Sequence, residues 1–288
     1  MHGVLISDRK ELSEAQQALE LEATTAAKSL LQDVIQLKHT KIFSIESFEK
    51  CMELLKLNPE LALAWNFRRQ IISAQPETDR HGWLKKELFV LNTVMMDLRM
   101  TKSYCLWNHR RWLLLQLSTE AADVLAEELE LVSKILNLDG RNFHAWSYRQ
   151  WLRVTFPSIQ LDDLEYSQHL IEKDFSNYSA WFLRMHAVNE GAHVDAQAEL
   201  ETVWNAIFTE PTDQSVWQYH DWLLEKYPDL GSKDSEFSSE LESIISERES
   251  KYLLLSKIKQ GNCDTNEIVE TLMRIDPVRT GYYLDLLV

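Results

Sequence analysis

Residues 102–114 read KSYCLWNHRRWLL, and residues 142–152 read NFHAWSYRQWL. The two blocks align on Trp107 and Trp146, and the same lettering occurs three more times, as AWNFRRQII around Trp65, AWFLRMHAV around Trp181 and VWQYHDWLL around Trp217. The gaps between these tryptophans are 42, 39, 35 and 36 residues. Three positions after each Trp stands Arg68, Arg110, Arg149 or Arg184, with His220 in the last copy. A unit of this length cannot bury its apolar face alone, so copies must stack on one another.

Working outward, each Trp falls in a helical segment that follows another. The reading gives Leu84–Asp97 then Ser103–Gln116, Thr119–Asn137 then Asn142–Arg153, Leu161–Lys173 then Tyr178–Asn189, and Asp195–Phe208 then Asp213–Lys226. Ser103, Asn142, Asn177 and Asp213 each lie four residues before their Trp. All are residues whose side-chain oxygen accepts from an orphan N–H at a helix start. Asn58-Pro59, Asp139-Gly140, Pro157 and Pro211 punctuate the intervals. The Arg three residues past each Trp shares its side of the helix and would bond a carboxylate or carbonyl of an adjacent helix end.

Flanking the repeats, residues 9–38 predict one amphipathic helix with Leu12, Leu19, Leu30, Leu31 and Ile35 on its apolar side. The stretch IESFEKCMELLKLNP predicts a helix ending at Asn58-Pro59. Lys233–Gln260 predicts a long helical stretch and Thr265–Arg274 another, before Asp276-Pro277. The fold class expected is all-α, a right-handed superhelical crescent of stacked antiparallel helical hairpins. No segment is biased enough in composition to serve as a linker, so residues 1–288 predict a single helical-repeat domain, with 1–39 as N-terminal segment and helix, 40–226 as five Trp-containing hairpins and 227–288 as C-terminal helices.

Composition narrows the partners. There are 30 Lys and Arg against 45 Asp and Glu, a net charge of −15, which argues against binding nucleic acid through a basic patch. Three cysteines, Cys51, Cys105 and Cys263, are too few and too scattered for a disulfide framework or a zinc knuckle. No run of about 20 apolar residues is present to span a bilayer, and a cytoplasmic location is expected.

The signature Asn/Ser-x-x-x-Trp-x-x-Arg is not that of the 34-residue tetratricopeptide unit. It resembles the α-subunit repeat of the protein prenyltransferases, over about residues 40–288. The resemblance implies a helical crescent that wraps a β subunit, and a catalytic Zn2+ held by that β subunit rather than by this chain. Two α types exist in the family, one serving enzymes that read a C-terminal CaaX box and one serving the geranylgeranyltransferase that acts on Rab GTPases. Three features point to the second: the Met1-His2-Gly3 start without a Pro-rich leader, the ending IDPVRTGYYLDLL, and Cys105 where CaaX-type subunits carry a Gln that helps hold the peptide carboxylate. A thiol is a poor donor to a carboxylate. The expectation is a compact form without Ig-like or leucine-rich repeat domains.

By the same resemblance, the partners would be a prenyltransferase β subunit, geranylgeranyl diphosphate, Rab GTPases and an escort protein that presents them. Lys102 matches the family lysine that reaches the diphosphate, Tyr104 a tyrosine near the same pocket, and His144 a histidine at the corresponding point of the next repeat. His2 would be a further zinc ligand, occupying the thiol position of the β-subunit site in the resting enzyme. His109 and Arg110 would brace packing. The alternatives are the α subunit shared by farnesyltransferase and type I geranylgeranyltransferase, and a non-enzymatic helical-repeat scaffold.

Overall fold

A computed structural model describes residues 14–117, 121–157, 161–261 and 263–287. These are helical throughout, joined by short turns, and no strand occurs among the described residues. The chain divides into two compact units, the first ending at Phe156 and the second beginning at Pro157. The Trp repeat runs through both.

The first unit holds α1 (Glu14–His39), α2 (Ile45–Leu57), α3 (Ala62–Ser73), α4 (Glu77–Val94), α5 (Tyr104–Gln116), α6 (Ala121–Leu138) and α7 (Phe143–Thr155). Helices pair as α2 with α3, α4 with α5 and α6 with α7. The second helix of each hairpin also packs on its counterpart in the next, α3 on α5 and α5 on α7. The core between them includes Phe48, Leu55, Trp65, Phe67, Leu91, Leu106, Trp107, Leu113, Val132, Ile135 and Tyr148.

The second unit holds α8 (Asp163–Lys173), α9 (Tyr178–Asn189), α10 (Ala196–Thr209), α11 (Gln214–Lys226), α12 (Gly231–Ile244), α13 (Lys251–Gln260), α14 (Thr265–Ile275) and α15 (Thr280–Leu284). Here α8 pairs with α9, α10 with α11, and α9 packs on α11. After α11 the repeat stops, and α13, α14 and α15 close the end around Ile268, Val269, Leu272 and Tyr283.

The expected caps are present. The side chains of Ser103, Asn142, Asn177 and Asp213 accept from the backbone N–H of Leu106, Ala145, Ala180 and Ser215. Leu61 opens α3 with no side-chain cap, so the first hairpin lacks the signal that marks the other four.

Three expectations need correction. The α4 helix starts at Glu77, seven residues before Leu84. Pro76 stands at its N-cap, and Glu77 and Asp79 place negative charge at the positive end of the helix, which favours an early start. Lys233–Gln260 is not one stretch. The chain is extended at Ile245 (φ −90°, ψ 152°), and the Ser246 N–H and hydroxyl both donate to the Glu249 carboxylate, at 2.9 and 2.6 Å. That local ring competes with helix continuation. In α1 the packed stripe runs through Leu30, Leu31, Val34 and Leu37, while Ile35 is exposed. Leu12 lies outside the described residues.

Candidate functional site

Each repeat is assembled by one recurring set of bonds. The indole Nε1–H of Trp65 donates to the carbonyl of Pro59, Trp107 to Thr101, Trp146 to Gly140, Trp181 to Phe175 and Trp217 to Pro211, at 2.6 to 2.8 Å. The acceptor lies six residues upstream in all five. Every Trp therefore pins the turn that precedes its own helix, and fixes what that turn carries.

The Arg series binds forward. Arg68 Nε donates to Glu87 at 2.8 Å, Arg110 Nε to Glu128 at 2.7 Å and Arg184 Nε to Glu199 at 2.9 Å, each with a second N–H on the other carboxylate oxygen. The acceptors belong to the first helix of the following hairpin, Glu87 and Glu128 in its interior and Glu199 in its first turn, the helix end that the sequence led one to expect. Each carboxylate takes a further bond from the residue two past the next Trp: His109 to Glu87 at 2.7 Å, Tyr148 to Glu128 at 2.6 Å, Tyr219 to Glu199 at 2.8 Å. Those same rings lie against the preceding Trp, with centroids 4.7 to 4.8 Å apart. The last copy replaces Arg by His220, whose Nε2 lies 2.7 Å from Asp234, and Asp234 also accepts from the Trp204 indole at 2.8 Å. His109 and Arg110 thus brace the stack, as the sequence implied. Glu87, Glu128, Glu199 and Asp234 were missed, although a buried Arg requires an acidic partner.

Lys102, Tyr104 and His144 meet at one edge of the first unit. Lys102 ends a 3-10 turn, Met100–Lys102, immediately before the Ser103 cap of α5. The turn is held from two sides: the Thr101 carbonyl accepts from Trp107, and the Thr101 hydroxyl lies 2.9 Å from Asn142 Nδ2. Asn142 is the cap of α7, so two successive helix starts are tied together. Tyr104 opens α5 with its side chain exposed, and its ring centroid is 6.5 Å from that of His144, which is half-buried in the first turn of α7. Phe143 beside it is 75% exposed. The Lys102 side chain is 57% exposed, and its ammonium is paired with the Asp139 carboxylate. This edge presents a cation, a phenol and an imidazole to solvent at the positive ends of two helices, an arrangement suited to an anion.

Cys105 faces the preceding repeat, its thiol against the Glu60 carbonyl at 3.5 Å. Burial first, then the charge of the Glu60 carboxylate and a hydrogen bond with its side chain, push the thiol pKa up. A thiol with a raised pKa is not an activated nucleophile. His2 lies outside the described residues. Among the described residues, no group of three or more His, Cys, Asp or Glu is arranged to hold a metal ion, and no helix is long and apolar enough to cross a membrane.

The repeat is a known one. The family model described as protein prenyltransferase alpha subunit repeat matches residues 86–117, 125–155, 161–190 and 196–227. These are the hairpins α4–α5, α6–α7, α8–α9 and α10–α11; the Trp65 hairpin, outside those matches, makes the same indole bond. The geranylgeranyl transferase type-2 subunit alpha of Saccharomyces cerevisiae is 34% identical over 239 residues, 78% of this chain and 72% of the yeast protein. That of Candida albicans is 30% identical over 272 residues, 77% of this chain and 72% of that protein. That of Mus musculus is 34% identical over 244 residues, 78% of this chain, but this chain covers only 42% of the mouse protein. A solved structure of Candida albicans protein geranylgeranyltransferase-I complexed with GGPP superposes with a TM-score of 0.68 over 90% of this chain and 88% of that one, at 22% identity, a likeness of fold. The chain belongs to the protein prenyltransferase α-subunit family, and within it to the geranylgeranyl transferase type-2 α subunits.

Proposed function

We propose that this chain is the α subunit of a heterodimeric Rab geranylgeranyltransferase, active only with its β subunit. It transfers geranylgeranyl from geranylgeranyl diphosphate to C-terminal cysteines of Rab GTPases presented by an escort protein. The observation that carries the reading is the similarity to type-2 α subunits along 78% of the chain. Lys102, Tyr104 and His144, gathered at one edge, give that similarity a chemical point of action. Cys105, standing in the position of the CaaX-type Gln and occupied with Glu60, supports the Rab type over the α subunit shared with farnesyltransferase.

In the reaction a cysteine sulfur bonds to C1 of the isoprenoid as the C1–O bond to diphosphate breaks. A Zn2+ bound by the β subunit would lower the pKa of the cysteine thiol, so that it reacts as a thiolate at neutral pH. The α chain acts on the leaving group. The Lys102 ammonium stabilises negative charge gathering on the departing diphosphate, the Tyr104 phenol donates to it, and His144 offers an N–H from the adjacent helix start. The Trp107 and Asn142 bonds to Thr101 hold the Lys102 backbone in place before substrate arrives.

The test uses the purified α/β heterodimer, labelled geranylgeranyl diphosphate, a Rab protein and escort protein. Lys102→Ala is expected to lower kcat about 100-fold with the heterodimer intact, the scale seen for losing one transition-state donor. Efficient labelling of a CaaX peptide without escort protein would remove the Rab assignment. A chain that binds no zinc-containing partner would be a scaffold.

A further inference from the structure

Lys102 does not stand free at the edge. Its ammonium is paired with Asp139, which lies in the turn between α6 and α7, one repeat further along the chain. That turn is well fixed: the Asp139 N–H donates to the Ile135 carbonyl at 2.8 Å, its carbonyl accepts from Asn142 at 3.0 Å, and the next carbonyl, Gly140, accepts from Trp146 at 2.8 Å. Two residues of one turn thus hold two consecutive residues of the other, Asn142 on Thr101 and Asp139 on Lys102. The Asp139 side chain is 22% exposed, that of Lys102 57%. A pair this open to water is weakly held and exchanges readily for a stronger anion.

Resting on the function proposed above, we infer that Asp139 is the counterion of Lys102 in the substrate-free enzyme, and that diphosphate displaces it on binding. Asp139 is a positioning residue. It directs the Lys102 ammonium along the edge shared with Tyr104 and His144. As diphosphate enters, the Lys102 ammonium leaves the carboxylate for the phosphoryl oxygens, and the carboxylate remains beside it as a like charge. That charge weakens the hold on diphosphate, so the product is released and Lys102 returns to Asp139. No proton or covalent bond changes hands; the step is an exchange of ionic partners.

The experiment measures the inhibition constant of inorganic diphosphate against geranylgeranyl diphosphate in the heterodimer. Wild type, Asp139→Asn, Asp139→Ser, Asp139→Glu, Lys102→Ala and Lys102→Ala/Asp139→Asn are compared, with a thermal melt on each. Asn and Ser suit the turn while removing the charge. Both are expected to tighten inhibition about 5-fold, the factor for one unit charge at about 4 Å in water. They should also lower KM more than kcat, while Asp139→Glu stays near wild type. In the Lys102→Ala background the Asp139→Asn change should tighten inhibition less than it does with Lys102 present, because only the like-charge repulsion remains and no ion pair has to be broken. An unchanged or weaker inhibition in both neutral variants overturns the inference, as does an equal tightening without Lys102. Absence of transfer by the wild-type heterodimer would instead remove the functional reading itself.

Discussion

Arg110 reaches forward from α5 to Glu128 of α6, its Nε donating at 2.7 Å, and neither side chain exposes more than 1% of its surface. Asn92 takes a further Arg110 N–H at 2.6 Å, and Tyr148 donates to the same carboxylate. Removing one member leaves the other charge buried and unpaired. Arg110→Met should cost about 3–5 kcal/mol of stability, and Arg110→Met/Glu128→Gln less than that single change, because the orphaned charge is gone. Urea unfolding followed by circular dichroism measures both; a double variant less stable than Arg110→Met would refute the pairing.

The Trp107 indole links the core to the site, because its acceptor, Thr101, precedes Lys102. Trp107→Phe keeps most of the apolar volume but leaves that carbonyl short of a donor, a loss of about 1–3 kcal/mol. Turnover should fall in the folded heterodimer as the Lys102 turn loosens. Trp217→Phe, whose bond serves the Pro211 turn, should cost similar stability and spare turnover. Equal kinetic losses in the two would show that the ladder acts on folding alone.

Two buried histidines titrate in opposite senses. His109 Nδ1 accepts from Arg69 at 3.2 Å, so its proton sits on Nε2 and is donated to Glu87. Burial lowers its pKa below the usual 6.5, and the charges of Arg68 and Arg69 add to that against the pull of Glu87. For Glu87, burial alone would raise the pKa, but the Arg68 charge and hydrogen bonds from His109 and Arg68 outweigh it and hold the group at about 2. In both, the unfolded chain takes up protons first. Their contribution is present at neutral pH and is lost as pH falls, through 6.5 for His109 and from 4.5 toward 2 for Glu87. His220 instead faces Asp234 from Nε2 and Asp221 from Nδ1, at 2.7 and 3.3 Å. Burial would lower its pKa, yet hydrogen bonds and charge from the two aspartates raise it above 6.5. Its contribution is full below 6.5 and is lost as pH rises through the raised value. His220→Gln should flatten the alkaline limb of a melting-temperature series, and His109→Gln the limb that falls away below pH 6.5. A His220→Gln profile parallel to wild type above pH 6.5 would contradict the assignment.

At the other end of the second unit, Asp276 accepts from Arg279 at 2.6 Å and from the Tyr283 hydroxyl at 2.8 Å, and pairs with Lys251 at 2.9 Å. Hydrogen bonds from Lys251, Tyr283 and Arg279 hold its pKa well below the usual carboxylate range. Asp276→Ala should release α15 while sparing the Trp repeats. Amide hydrogen exchange would then rise across residues 276–287 and stay unchanged in α9 and α11; uniform acceleration throughout the unit would count against a local joint.

How much of this was legible follows from where the signals lie in the chain. The tryptophans, their caps and their arginines sit at fixed offsets within one helix, so a local pattern exposes them. Their partners do not. Glu87 lies 19 residues past Arg68, Glu128 18 past Arg110, Glu199 15 past Arg184 and Asp234 14 past His220. The turn lengths drift, and many other surface carboxylates offer equal candidates. The candidate site was legible in part, for Lys102, Tyr104 and His144 were singled out by their resemblance to the family lettering, and the fold brings them to one edge of the first unit. The Asp139 pairing was not, because 37 residues separate it from Lys102 and only the stacking of two hairpins brings them together. The break at Ile245 escaped for a different reason: Ser246 and Glu249 are ordinary helix residues until their side chains close on each other.

The indole bonds described above have an optical consequence. Five of the ten tryptophans donate Nε1–H to a carbonyl six residues upstream, so each of those chromophores senses the turn it pins, along with its packed surroundings. Replacing them by Phe one at a time, and subtracting each variant's emission from that of the parent, would assign a signal to each position along the chain's length. Binding at the Lys102 edge should then register at Trp107 and Trp146, whose carbonyl partners belong to the two turns that meet there, and leave the Trp217 signal unchanged.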